Sequence, residues 1–73
     1  MKLPVVSGIK VIKALDKIGF EIDHQTGSHV VLRENKEPFR RVTVPNHKHI
    51  VPRTLISILK QSGLSREDMS KLL

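Results

Sequence analysis

The apolar positions of the chain recur first at helical spacing, then every second residue, then at helical spacing again. After Ser7, a good N-cap, the residues Ile9, Val11, Ile12, Leu15 and Ile18 form a broad stripe, with Lys10, Lys13, Asp16 and Lys17 on the wet side. Gly19 stands where a left-handed C-terminal residue is wanted, so the spacing predicts a helix over 8–18. Phe20 and Ile22 then alternate with Glu21 and Asp23, the pattern of a half-buried strand. Residues 25–27 read as a turn, 28–33 as a second strand, and 34–38 as a polar loop closed by Pro38. Residues 39–44 are a third strand, ended by Pro45. Such short connections predict an antiparallel meander.

Beyond the polar loop 46–49, Pro52 suits the first turn of a helix whose buried stripe is Leu55, Ile58 and Leu59 and which Gly63 stops. Ser65 with Asp68 resembles a capping box and opens a last short helix, with Met69, Leu72 and Leu73 inside. The predicted fold class is α+β, in the order α-β-β-β-α with a short C-terminal helix. Its three-stranded antiparallel sheet carries the helices on one face, all in one domain over residues 1–73. Val30 and Leu32 share a strand face, as do Val42 and Val44, and the helices need a surface to pack on, so these four point inward. The outward face then carries His29, Val31 and Arg33 from the second strand, and Phe39, Arg41 and Thr43 from the third.

Composition narrows the possible chemistry. The chain has 73 residues, no cysteine, and a formal charge of +6 from 13 Lys and Arg against 7 Asp and Glu. The absence of cysteine removes disulfides, thiol catalysis and Cys-containing zinc sites. The longest apolar run is Val30-Val31-Leu32, too short for a membrane span, and Pro4, Gly8 and Lys10 interrupt any signal-peptide core. A basic protein of the cytoplasm, needing neither membrane nor small-molecule cofactor, is expected. The excess charge is not uniform. Between Ser28 and Lys60 seven basic residues face two acidic ones, a balance of +5. With two Phe and no Tyr or Trp, there is little to stack unpaired bases on, so a polyanion would be held mainly through phosphates.

Histidine is the easiest general acid or base near neutrality, and the chain has four. His24 reads as the surface end of the first strand. His29 follows Gly27-Ser28 at the start of a strand, where a small-residue turn leaves the ring accessible and the strand holds it rigid. His47 and His49 form an H-x-H pair on the loop after the third strand, yet no carboxylate lies between Glu37 and Glu67, so no metal site is expected. No paired catalytic carboxylates, glycine-rich phosphate loop or nucleophile–base motif is present.

Several blocks in order carry a family resemblance. They are Gly27-Ser28-His29, then Arg41-Val42-Thr43-Val44-Pro45 with His47, then residues 52–59, then Gly63-Leu64-Ser65-Arg66-Glu67; Val6-Ser7-Gly8 and Leu15 through Phe20 also fit. Over essentially its whole length the chain resembles the HicA toxins of HicAB toxin–antitoxin pairs. The resemblance implies a double-stranded-RNA-binding-domain-like fold and a ribosome-independent endoribonuclease that cleaves mRNA. It also implies a HicB-like antitoxin as partner. It assigns the catalytic histidine to His29. The chain departs from the family pattern after His29, where Val30-Val31-Leu32 stand in place of a frequent second histidine and aromatic residue.

The expected chemistry needs no metal, because RNA carries a 2′-hydroxyl beside each scissile phosphate and a base that removes its proton starts an internal attack. His29 would be that base. Ser28, Arg33, Arg41, His47, Lys48 and Arg53 are the candidates to contact RNA, with His47 also a candidate second proton-transfer group. Two other classes stay open at this point. The domain could bind RNA without cutting it, or its basic sheet could simply dock an acidic protein.

Overall fold

Residues 5–73 are described by a computed structural model; Pro4, one of the residues that interrupt the opening apolar stretch, lies outside them. Helix α1 (Gly8–Asp16) is followed by β1 (Phe20–Thr26), β2 (His29–Glu34), β3 (Arg41–Pro45), α2 (Pro52–Ser62) and α3 (Arg66–Leu72). The sheet order is β1-β2-β3 with both pairings antiparallel, as the meander pattern predicts. The Ser7 hydroxyl accepts from the Lys10 amide at 3.2 Å and so caps α1. The capping box of α3 forms in both directions between Ser65 and Asp68.

Val30 and Leu32 of β2 and Val42 and Val44 of β3 are buried against Val11, Ala14 and Leu15 of α1 and Leu55, Ile58 and Leu59 of α2. Val6, Phe20, Ile50 and Met69 complete this core. The helices therefore occupy one face of the sheet, and the other is open.

Several boundaries differ from those the pattern predicts, each for a local reason. Helix α1 ends at Asp16 rather than residue 18, because amides of Ile18 and Gly19 bond the carbonyls of Leu15 and Asp16, three residues back, and tighten the last turn. Ile9 is 55% exposed; Val11, Ala14 and Leu15 are the residues of α1 that enter the core. Strand β1 does not stop at His24 but runs to Thr26, which pairs with His29. The turn is thus the two residues Gly27 and Ser28, and a positive φ at Gly27 (58°) alone fits a hairpin turn whose twist matches the flanking strands. Ile22, expected half-buried, is 61% exposed: it pairs with Leu32 on the helix side of the sheet, but on the outer strand, where only Phe20 is covered.

The loop after β2 starts one residue later than expected. Glu34 belongs to the strand and is buried, its carboxylate accepting from the Arg40 amide at 2.9 Å and meeting the Arg40 guanidinium at 3.7 Å. Phe39 is not a strand residue. Its φ of 56° is left-handed and its amide donates to the Lys36 carbonyl, so β3 begins only at Arg41. Leu73 is 38% exposed rather than inside, while Met69 is buried and Leu72 packs against the core.

This division sets a stability contrast. Leu55→Ala is expected to cost about 2–5 kcal/mol in urea unfolding, because it opens a cavity between α2 and the sheet. Ile9→Ala is expected to stay within about 0.5 kcal/mol. Equal losses would mean that α1 packs through Ile9 after all.

Candidate functional site on the open sheet face

Opposed residues of antiparallel strands point to the same side, so the pairings arrange the open face in rows. One row is Thr26, His29 and Pro45; the next is His24, Val31 and Thr43; the third is Glu21, Arg33 and Arg41. His29 is the first residue of β2, next to the Gly27-Ser28 turn, and is exposed. The Ser28 carbonyl accepts from the Asn46 amide at 2.6 Å, which ties the turn to the chain leaving β3. A side chain at Gly8 would run into the Pro45 carbonyl oxygen, so this glycine lets the start of α1 lie directly against the end of β3. Its amide donates to the His47 carbonyl at 2.9 Å.

Ser28, His29 and His47, with exposed Lys48 beside it, thus gather at one end of the sheet. Arg33 and Arg41 face each other at the other end, four residues along β2, or about 13 Å away at ~3.3 Å per residue. The Phe39 ring lies 5.1 Å beneath the Arg33 guanidinium, so it joins this corner from the loop rather than from the strand. Arg53 is not brought onto the face; it belongs to the first turn of α2, in the helix layer. Among the described residues, no group of three or more His, Cys, Asp or Glu is gathered that could hold a metal ion. Also among them, no helix is long and apolar enough to cross a membrane.

The sequence pattern misses two residues of this face. The β1–β2 register shifts between Ile22 and His24, leaving Asp23 as an extra residue in β1. The bulge turns both Asp23 and His24 to the open side. Asp23 Oδ2 lies 2.8 Å from His24 Nδ1 and 3.6 Å from the Arg41 guanidinium, reaching across β2. The hydrogen bond to His24, above all, holds the Asp23 carboxyl below its ordinary value; desolvation opposes it, and the charges of Arg41, His24 and Arg33 add to the lowering. An adjacent Asp-His pair in the sequence is the only trace this arrangement leaves there.

A three-stranded meander backed by helices on one face and open on the other, in the order α-β-β-β-α, defines the double-stranded-RNA-binding-domain-like class of folds. A family model described as HicA toxin of bacterial toxin-antitoxin matches residues 8–64. The chain belongs to that family and is the toxin of a toxin–antitoxin pair. No curated protein matches it.

The Asp23 carboxyl is expected to titrate below the ordinary value of 3.8 by NMR, and His24→Ala to return it toward that value. A carboxyl whose folded value is depressed stabilises the fold at pH above its unfolded value, and that contribution fades as pH falls through the folded value. An ordinary titration in the intact protein would show that the pair does not persist in solution.

Proposed function

We propose that this toxin is a metal-independent, ribosome-independent endoribonuclease that cleaves mRNA in the cytoplasm, with His29 as general base and no cofactor. The observation that carries the reading is the position of His29. It is exposed on a rigid strand, at the edge of a two-residue turn, on the sheet face that also bears Arg33 and Arg41. A toxin that acts on RNA needs such a face, and histidine is the side chain of this chain best suited to proton transfer near neutrality.

The substrate supplies its own nucleophile. His29 takes the proton of a 2′-hydroxyl, the oxygen attacks the adjacent phosphorus, and the bond to the 5′-oxygen breaks. The products are a 2′,3′-cyclic phosphate and a 5′-hydroxyl, and DNA, lacking the 2′-hydroxyl, is not cut. Arg33, Arg41 and Lys48 hold flanking phosphates, with Ser28 and His47 as further contacts; Arg53, in the helix layer, is left out. The Arg33–Arg41 corner gives the strand a second point of attachment about 13 Å from the base.

His29→Ala is expected to abolish cleavage and growth arrest with an unchanged circular dichroism spectrum. Cleavage by the wild type is expected to persist in a chelator and to fail on RNA whose scissile 2′-hydroxyl is replaced by hydrogen. Undiminished cleavage by the folded variant would remove His29 from the mechanism.

The antitoxin partner is HicB-like and covers the His29 face with an acidic surface, blocking RNA by occupying its place. The cationic groups of this face, Arg33, Arg41 and Lys48, are electrostatic targets for an anionic protein. In so small a domain, direct cover is simpler to arrange than a switch between packings. Partner and RNA should therefore compete, and their association should slow as salt rises. A ternary complex with the His29 face still open would overturn occlusion.

A further inference from the structure

Building on the ribonuclease reading, we infer that His24 is the second proton-transfer group, delivering a proton to the departing 5′-oxygen, and that Asp23 is its positioning residue. In-line displacement puts the attacking and leaving oxygens on opposite sides of phosphorus, so a base and an acid must flank the phosphate. His24 and His29 meet that requirement. Thr26 pairs with His29, and His24, two residues before Thr26, pairs with Val31. The two histidines are therefore diagonal neighbours on adjacent strands of the same face, about 7–8 Å apart. That separation leaves room for a phosphate between the rings.

The tautomer of His24 follows from its neighbour. Asp23 is an ionised carboxylate, able only to accept, and its Oδ2 lies 2.8 Å from Nδ1, so Nδ1 carries a hydrogen. Nε2 is then the free position, and the Arg41 guanidinium holds the carboxylate from the other side at 3.6 Å. An exposed Asp–His pair contributes little to stability, so nothing in the core demands this geometry. His47, the other histidine near the site, sits past Pro45 with its backbone bonded to Gly8. Among the described residues the carboxylate that meets a histidine is Asp23.

The step balances without a co-reactant. His29 gains the 2′-hydroxyl proton as the bond from O2′ to phosphorus forms. His24, entering as the imidazolium with a hydrogen on each ring nitrogen, loses the one on Nε2 to O5′ as the bond from phosphorus to O5′ breaks. Exchange with water resets both rings.

A substrate in which sulfur replaces the bridging 5′-oxygen tests the assignment, because a departing thiolate needs no acid: a thiol has a pKa near 8.5, against about 15.7 for water. On ordinary RNA, His24→Ala is expected to lower kcat by roughly 10²–10⁴-fold. Asp23→Asn should lower it less. On the sulfur substrate both variants should recover to near the wild-type rate, whereas His29→Ala should stay inactive on both. A His24→Ala variant equally impaired on both substrates, or unimpaired on ordinary RNA, would overturn the assignment while leaving His29 and the ribonuclease reading intact. Rescue of His47→Ala instead would move the acid to the loop and overturn it too. A wild type that cuts neither substrate would overturn the ribonuclease reading and this inference with it.

Discussion

The one-sided burial of the sheet governs everything else in this molecule. Successive side chains of a strand point to opposite faces, so sinking Val30 and Leu32 beneath the helices obliges His29, Val31 and Arg33 to face out. A slip of one residue in the central strand would bury His29 and Arg33 and put Leu32 in water. The core that prevents the slip is small. A domain of this size buries only about 60% of the surface its unfolded chain exposes, so few contacts are spare. The register is also fixed at the end where it matters, by the Gly27-Ser28 turn, by the Asn46 amide on the Ser28 carbonyl, and by the close approach of Gly8 to Pro45.

The parts of the fold that could be read from the chain are those in which one residue type has one job. Ser7 and Ser65 cap helices, Pro52 opens one, and the buried positions of β2 alternate without a fault. The rest depended on partners distant in sequence. Glu34 looks like the start of a polar loop until Arg40 is known to supply both an amide and a guanidinium to its carboxylate. Phe39 follows a proline and precedes two arginines, which reads as strand entry, yet its left-handed backbone closes the loop instead. Ile22 has the right parity for the core but sits on a strand that the helices cover only at Phe20. The position of His29 on the open face was legible because the alternation of β2 is regular. The Asp23–His24 pair was not, because a bulge adds one residue and breaks the parity on which such readings rest.

The charge on the open face is arranged at some cost. Arg33 and Arg41 are directly paired across strands, and like charges in that position repel. Two neighbours relieve them in part: Asp23 meets Arg41, and the Phe39 ring lies beneath Arg33. Glu21 of β1 stands opposite Arg33 in the register, with no ion pair between them among the described residues, so the Arg33 guanidinium stays directed at solvent. A chain of phosphates would engage the Arg33 guanidinium, which no ion pair among the described residues holds. So would an acidic protein surface, which is why RNA and an antitoxin are expected to contend for the same place.

An exposed site forgoes much of the electrostatic advantage of a buried one, since water screens every charge that could stabilise a transition state. The proposed reaction suffers less from this than most. Its nucleophile is already attached to the phosphorus it attacks, so positioning is inherited from the substrate and the protein need only move two protons and hold an anion. Histidines on adjacent strands can do the first and arginines across the sheet the second, without a cleft. The same flatness serves control. A toxin whose working groups lie on an open face can be silenced by any surface that fits over it, and uncovering that face restores it without refolding.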